Sequence, residues 1–418
     1  MFRKIGQSIK QHPLIDMLIH LKDNPKVCIL IEPFWGIPFN LIAPYATLYM
    51  YALGVSDVQL GTILSISMVV QLVFSLMGGI VTDKLGRKKT TIMGDLFGWT
   101  VACLIWAVSQ NFWFFLAAVL MNSFEQVNQT AWVCLLMEDT DKTHTVNIYT
   151  WISIAGLVAV FFAPISGLLV GRYGLVPVVR VLYLIFAVSM IGKDIITWKY
   201  TKETRQGLIR RQETKGVSVW TMLREYKTVV PQIFHNKATV QTLLLMSFLY
   251  ITNMVNSNFF GLYVGETMGI EKQYLAFFPI IRAIVMLVFM FGLQHKIKKI
   301  KVPLVVGLIL YIAAQITLIA SPKKQVFTII LYIFLDAVAN AIVYPRKESM
   351  LILNVDEGER ARIMALMTTF MIAFSVPFGY LAGFLSSIDR RLPFAFATLM
   401  FALSILIVSR SKEPSEQH

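Results

Sequence analysis

The chain has 418 residues, of which 56% are hydrophobic and only 15% are charged, and its mean hydropathy is +0.65. Soluble domains carry about 25% charged residues, so this chain has too few polar side chains to cover a soluble surface. The composition excludes an ordinary soluble enzyme, a disordered chain and a disulfide scaffold, and it predicts an integral membrane protein.

Apolar runs long enough to cross a bilayer as helices, about 20 residues each, occur twelve times. They cover residues 27–52, 57–82, 90–109, 112–137, 147–171, 176–198, 238–264, 274–294, 302–320, 325–346, 360–387 and 392–409. The sequence therefore predicts an all-α polytopic membrane protein with twelve transmembrane helices, called spans 1 to 12 in chain order.

The basic residues are distributed unevenly between the two sides of these spans. If both termini are cytoplasmic, 29 of the 38 Lys and Arg residues fall in cytoplasmic segments or, at residues 346, 360 and 362, in the adjoining ends of spans 10 and 11. Six fall in outer loops and three deeper inside spans. Cytoplasmic loops of membrane proteins carry this excess. The distribution therefore predicts cytoplasmic termini and explains the net charge of +14 without nucleic acid. We expect a multi-pass protein of the plasma membrane, the inner membrane if the source is bacterial.

The longest polar stretch divides the spans into two sets of six that superpose with an offset of about 211 residues. The predicted organisation is a cytoplasmic segment (1–26), a six-helix bundle (27–198), a basic cytoplasmic linker (199–237), a second bundle (238–409) and a cytoplasmic tail (410–418). A repeat of six helices is an architecture of secondary transporters, whose substrate site lies between the halves near mid-membrane.

The loop after span 2 reads GIVTDKLGRKK over residues 79–89. It resembles the signature of the major facilitator superfamily, Gly-x-x-x-Asp-(Arg/Lys)-x-Gly-Arg-(Arg/Lys), with Gly79, Asp83, Gly86 and Arg87 in place. With the twelve spans, the linker and the repeat, the resemblance covers roughly 27–409. It implies that Asp83 and Arg87 help lock the two halves together when the cavity opens outward. Asp83 can do so by pairing with Arg87 or by facing a helix N-terminus.

Span 5 contains a second short pattern, Ala-Pro-Ile-Ser-Gly at residues 163–167. It is similar to the Gly-Pro-x-x-Gly motif of the superfamily's antiporters, but it lacks the first Gly. The resemblance implies the branch that exchanges drugs or metabolites for protons. A proline and small residues that only bend and pack a helix explain it equally well.

Two acids lie in the middle of spans. A charged side chain there costs about 2.5–3.5 kcal/mol on insertion scales. Because of this cost, an ionisable residue inside a span indicates a functional site. Glu125 in span 4 and Asp336 in span 10 are separated by the repeat offset. Each has an amide one helical turn away, Asn128 and Asn340. Their functional interpretation is a proton carrier or a counter-ion for a cationic substrate. The alternative is a structural carboxyl paired within the bundle, with Arg282 of span 8 as one candidate partner.

Other polar residues lie on spans 1 and 7: Glu32, Asn40, Asn253 and Asn256. With spans 4 and 10, these are the spans that line the cavity in the family that the chain resembles. Glu32 could instead be solvated near the end of its helix, and the amides could join helices rather than bind substrate. Arg282 is either a ligand for a substrate anion or the fixed partner of an acid.

Three further charges lie close to the predicted cytoplasmic ends of spans. We expect Asp95 to pair with a basic residue of the loop at 79–89. We expect Lys193 and Asp194 to extend toward the membrane surface, as long charged side chains near helix ends do.

These features predict a proton-coupled secondary transporter that works by alternating access and exports small amphipathic compounds, cationic ones among them. A carrier of a polar metabolite such as a sugar is the alternative, and a lipid-moving protein or a transporter-like sensor is a third reading. No ATP-binding loop, metal-ligand spacing or nucleophile–base pattern is present in the sequence, so neither an enzyme nor a cofactor is expected. We expect a monomer in the lipid bilayer, with a small-molecule substrate and protons as its partners.

Overall fold

The computed structural model describes residues 21–140, 145–225, 230–292, 299–353 and 360–411. Every regular element in these ranges is a helix. The predicted terminal segments 1–26 and 410–418 lie mostly outside them. The all-α class predicted from the apolar runs is confirmed.

The described residues of the first half form ten α-helices. They are α1 (Asp23–Ile42), α2 (Ala46–Ala52), α3 (Asp57–Leu85), α4 (Arg87–Asp95), α5 (Ala102–Val108), α6 (Phe112–Asn122), α7 (Glu125–Met137), α8 (Thr145–Val160), α9 (Ala163–Tyr173) and α10 (Leu175–Tyr200). A turn of π-helix, Leu96–Val101, joins α4 to α5 into one continuous span.

The polar stretch between the halves carries three short helices, α11 (Arg205–Glu213), α12 (Val219–Glu225) and α13 (Val230–His235). The second half follows with α14 (Lys237–Leu262), α15 (Phe278–Gly292), α16 (Lys301–Ile319), α17 (Val326–Leu353), α18 (Arg360–Ile388) and α19 (Leu392–Arg410). A π-turn, Tyr263–Thr267, extends α14, and a 3₁₀ segment, Lys272–Phe277, leads into α15.

The number of membrane spans can be compared with the twelve predicted. Within the described residues, ten helical segments are long and apolar enough to cross a bilayer, and α1 with α2, bent by 45°, would make an eleventh. α6 and α7 lie where span 4 was predicted, interrupted at Ser123 and Phe124. The polytopic fold is thus confirmed, whereas the count of twelve and the side of the termini stay predictions.

Local sequence signals set several helix boundaries. Ser56 and Gln59 form a reciprocal capping box at the start of α3, which satisfies backbone N–H groups that have no partner inside the helix. The Asn111 side chain accepts hydrogen bonds from backbone N–H groups at the start of α6, and the Asn236 side chain does the same at the start of α14. At the other end of α3, Gly86 has φ of +94°, a conformation that favours glycine.

The two halves pack closely at the end where the outer loops are predicted. Gly61 of α3 faces α18 so tightly that a Cβ atom at Gly61 would lie 2.7 Å from the Gly379 carbonyl oxygen. Beside this contact, the Arg390 Nε donates to Asp57 Oδ2 at 3.2 Å, and the Ser386 hydroxyl donates to the same oxygen at 2.7 Å. These contacts close the outer end of the molecule.

Candidate substrate and proton site

A cavity of about 720 Å³ lies mainly within the second half of the chain. Its walls come from α14 to α19, and residues 43–47 at the bend between α1 and α2 close it from the first half. Five residues that the sequence singled out lie on its wall: Asn253, Asn256, Arg282, Asp336 and Asn340. The wall continues to Lys347 and Thr368, near the predicted cytoplasmic ends of α17 and α18.

An ion pair between α15 and α17 lies on the cavity wall. The Arg282 Nη2 is 3.1 Å from Asp336 Oδ2, and the two side chains are 40% and 8% exposed. Asp336 is therefore shielded behind the guanidinium that it neutralises. The candidate pairing of Asp336 with Arg282 is present in the structure, and a role of Asp336 in transport stays a prediction.

The rest of the wall is rich in aromatic rings. Phe260 stacks on Tyr332 with ring centroids 5.2 Å apart, and Tyr311 stacks on Phe401 at 4.6 Å. Met246 and Met371 lie on the same cavity. Rings and methionines offer a large apolar surface that adapts to ligands of different shape.

The cavity amides differ in how their hydrogen bonds are satisfied. Asn256 Oδ1 accepts a hydrogen bond from Gln315 Nε2 at 3.1 Å, which joins α14 to α16. Asn253 is exposed to the cavity and makes no side-chain hydrogen bond within the described part of the chain. Asn253 therefore offers a donor and an acceptor to a ligand, whereas Asn256 is partly committed to the bundle.

The first half contains a separate polar cluster that the sequence analysis did not predict. Lys193 Nζ donates to Asp95 Oδ2 at 2.7 Å, and Asn128 Nδ2 donates to Asp95 Oδ1 at 2.7 Å. Lys193 and Asp95 are almost completely buried. The expectations that Asp95 pairs with the loop at 79–89 and that Lys193 extends to the surface are both wrong. Asp194 is also buried rather than extended.

The approach of α7 to α4 explains this cluster. A Cβ atom at Gly94 would lie 2.5 Å from the Asn128 Cβ, and one at Gly98 would lie 3.0 Å from the Glu125 backbone nitrogen. Glycines at these two positions let α7 pack against α4 and bring Asn128 to Asp95. Asn128 was predicted to line the cavity, but its amide lies in the cluster instead.

Glu125 and Glu32 belong to the surroundings of this cluster and not to the cavity wall. Both interact electrostatically with Lys193 and Asp95. Glu125 begins α7, is half-buried, and has no hydrogen bond or ion pair with the part of the chain that the structure describes. Asn40, another predicted cavity residue, donates to the Gly36 carbonyl of its own helix at 2.8 Å.

The residues of the signature loop form a network on the first half. Arg87 Nη1 is 2.9 Å from Asp83 Oδ1, and Arg87 Nη2 is 2.9 Å from Glu138 Oε1. The Glu203 carboxylate accepts hydrogen bonds from the backbone N–H groups of Arg87 and Lys88, at 2.9 and 3.3 Å. An acid at this position suits the N-terminus of α4.

The linker is attached to the same loop. Arg210 Nη2 of α11 is 3.1 Å from Asp83 Oδ2, and the negative charge of Asp83 raises the pKa of Arg210. The Asn24 side chain donates to the Lys202 carbonyl and accepts from the Lys202 backbone N–H. Lys84 Nζ donates to the Val217 carbonyl. The pairing of Asp83 with Arg87 is thus present, together with partners from the linker that were not predicted. Their locking role stays a prediction.

Comparisons with known proteins support one family. A model of the Major Facilitator Superfamily matches residues 35–345. The multidrug resistance protein MdtG of Yersinia enterocolitica is 26% identical over 206 residues, 47% of each chain. MdtG of Serratia proteamaculans is 28% identical over 223 residues, 51% of this chain and 52% of the relative. This chain matches about half the length of these curated relatives.

Solved structures resemble the chain over most of its length. A variant of the nucleoside transporter NupG superposes with a TM-score of 0.70 at 15% identity, covering 92% of this chain and 99% of that one. A bacterial homologue of the human lysosomal transporter Spinster, in an inward-facing and unoccupied conformation, gives 0.70 at 13% identity, with 95% and 97% covered. At such identities the likeness shows the fold alone.

Proposed function

We propose that this chain, which belongs to the Major Facilitator Superfamily, exports amphipathic small molecules and couples their movement to protons. Membership of a transporter family supports a carrier that works by alternating access. The export direction is supported by the relatives named as multidrug resistance proteins. The aromatic and methionine-rich cavity wall supports an amphipathic substrate, because such surfaces bind apolar bodies without demanding one shape.

The observation that carries the proposal is the Arg282–Asp336 pair on the wall of the aromatic cavity. Removing an ion pair from water is costly, and a buried pair often contributes no net stability compared with apolar residues. Charges inside membrane spans mark substrate paths and proton relays. The position of this pair on the cavity wall suits a role in transport better than a role in holding two helices together.

Coupling to protons follows from the same pair. When a ligand or a conformational change draws Arg282 away, the Asp336 carboxylate loses its counter-charge. An unpaired carboxylate in this setting gains stability by taking up a proton. Glu125 is the second candidate carrier, because it is half-buried and has no partner within the described residues.

The test is transport in proteoliposomes with an imposed pH gradient, comparing wild type with Asp336→Asn and Glu125→Gln. At least one variant should lose proton-driven accumulation while it still exchanges substrate for substrate, because only the proton step needs a titratable carboxyl. If both variants retain full proton-driven accumulation, the coupling mechanism is wrong.

A second candidate, a carrier of polar metabolites such as sugars, has one observation in its favour. Asn253 presents an unengaged amide to the cavity, and amides bind hydroxyl groups well. Binding of unlabelled sugars, measured as a rise in the melting temperature of the purified protein, separates the two. A shift with sugars that Asn253→Ala abolishes, and none with amphipathic compounds, would favour the metabolite carrier.

A further inference from the structure

We infer that the cavity recognises organic anions, that is, amphipathic compounds whose carboxylate or similar anionic group binds Arg282. The inference rests on the proposed function for the cavity's role as a substrate site. It goes further by naming the charge of the substrate, and it is opposite in sign to the cationic substrate that the acids in the sequence suggest.

The charge balance of the cavity wall is the first argument. Within the described residues, the charged side chains on the wall are Arg282, Asp336 and Lys347, and the one carboxylate among them is already paired with Arg282. The Lys347 ammonium lies 4.9 Å from the centre of the Tyr344 ring, on the same cavity. The described wall therefore offers a cation no unpaired carboxylate.

The incomplete hydrogen bonding of Arg282 is the second argument. A guanidinium has five N–H donors. Apart from the contact with Asp336, the described part of the chain gives Arg282 no hydrogen bond. Its Nε is buried, so the Nη groups are the donors that a ligand can reach. The planar end of a guanidinium fits a carboxylate with two parallel hydrogen bonds. A ligand anion would supply the acceptors that the protein lacks.

The relative exposure of the two partners is the third argument. The Arg282 side chain is 40% exposed and that of Asp336 is 8% exposed. A ligand in the cavity therefore meets the guanidinium first. A cationic ligand would have to pass the positive charge of Arg282 and displace it to reach the carboxylate.

The surroundings of Arg282 also suit the apolar part of such a ligand. Tyr311 and Tyr332 lie close enough to interact electrostatically with Arg282, and both belong to the stacked pairs of the aromatic wall. A compound with an aromatic body and an anionic end can thus place its ring among these residues while its anion contacts the guanidinium.

Anion binding at Arg282 has a consequence for Asp336. A ligand carboxylate and the Asp336 carboxylate compete for one guanidinium. Removing the charge of Asp336 should therefore strengthen the binding of an anion. If the substrate were a cation held by Asp336, the same substitution would abolish binding, so one variant gives opposite results for the two charges.

The experiment measures equilibrium binding to the purified full-length protein in detergent. The probes are aromatic carboxylates of one to three rings, among them 2-naphthoate, each with its neutral amide and its cationic methylamine counterpart. For at least one ring system, wild type should bind the carboxylate at least tenfold more tightly than both counterparts. Asp336→Asn should raise carboxylate affinity several-fold, and Arg282→Lys should lower it by weakening the two-point contact.

Arg282→Gln leaves the Asp336 carboxylate without its counter-charge, and that carboxylate would by itself repel an anion. The double variant Arg282→Gln/Asp336→Asn avoids this because it carries no unpaired charge, and it should lose the carboxylate preference. A preference for the methylamine series, equal binding of all three series, no binding of any carboxylate, or a preference that persists in the double variant would overturn the inference.

Flux measurements separate this inference from the proposed function. Carboxylate preference without flux of any bound compound would contradict transport but leave the anion site standing. Flux of amphipathic compounds without carboxylate preference would contradict the anion site alone.

Discussion

Each half of the molecule holds a pair of a basic residue and an aspartate within its spans, and the two pairs differ in how far they are exposed. In the first half, Lys193 and Asp95 are 2.7 Å apart, 5% and 0% exposed, and Asn128 completes the hydrogen bonding of the carboxylate. In the second half, Arg282 and Asp336 are 3.1 Å apart, 40% and 8% exposed, and most donors of the guanidinium are without an acceptor among the described residues.

This difference separates a structural pair from a ligand-facing one. A sealed pair holds α4, α7 and α10 in one arrangement and lies out of reach of a ligand. A pair that is open on one side retains bonding capacity toward a cavity. Exposure, rather than the presence of charge in a span, therefore indicates which pair faces substrate.

The largest effect should come from breaking the sealed pair. Lys193→Met leaves the Asp95 carboxylate buried without a cation, which costs about 3–5 kcal/mol. We expect the largest fall in melting temperature of any variant proposed, measured on the purified protein in detergent, together with reduced yield.

The control for this prediction is Lys193→Met/Asp95→Asn, which removes both charges. Replacing both members of a buried pair is far less costly than removing one, so this variant should recover much of the loss. A single variant that melts at the wild-type temperature would show that the pair is not structural.

The open pair should contribute less to stability. Arg282→Gln should cost about 1–2 kcal/mol, because Arg282 is partly exposed to the cavity and the charge left on Asp336 can be solvated or protonated there. The melting temperature should fall less than for Lys193→Met, while carboxylate binding is lost. A stability loss equal to that at Lys193 would remove the distinction between the two pairs.

The third pair joins Asp57 to Arg390 at the predicted outer end of the molecule, and these side chains are 8% and 18% exposed. Because it joins α3 of the first half to the loop after α18, Arg390→Gln should lower stability by about 1 kcal/mol and loosen the outer closure. A cysteine introduced by Gln59→Cys should be labelled faster in the protein that also carries Arg390→Gln than in the protein that carries Gln59→Cys alone. Unchanged labelling would mean that the glycine contacts alone hold the outer end.

The smallest effect should come from the linker pair of Arg210 and Asp83, where Arg210 is 42% exposed. Exposed pairs contribute about 0–1 kcal/mol and are screened by salt. Arg210→Gln should therefore change the melting temperature little, and the change should shrink as salt is raised. A loss comparable to that of Lys193→Met would contradict the small contribution expected of an exposed pair.

The sequence predicts the helical membrane fold well because helix length and apolarity are local properties of the chain. It also predicts that Arg282, Asp336 and three amides lie on the cavity, whereas Asn40 and Asn128, predicted there on the same grounds, lie elsewhere. The repeat offset matched Glu125 with Asp336, but the structure places only Asp336 on the cavity wall. Two halves with equal spacing do not bury their polar groups equally.

The cluster of Lys193, Asp95 and Asn128 could not be predicted from spacing alone, since its members lie on helices far apart in the chain. Its formation depends on how α7 is rotated against α4, which Gly94 and Gly98 permit. Those glycines were the available signal, because small residues one turn apart mark close helix contacts. Likewise, Glu138 and Glu203 meet Arg87 from two separate loops, and nothing in their local sequence indicates this.

The attachment of the linker to the signature loop has a mechanical consequence. Through Lys202, Glu203, Arg210 and Val217, the beginning of the polar stretch is fastened to the first half and should move with it as one rigid body. The tether between the two halves therefore starts near Val217 rather than at residue 199. A shorter tether limits how far the halves can swing, and any signal that releases α11 from Asp83 would lengthen it.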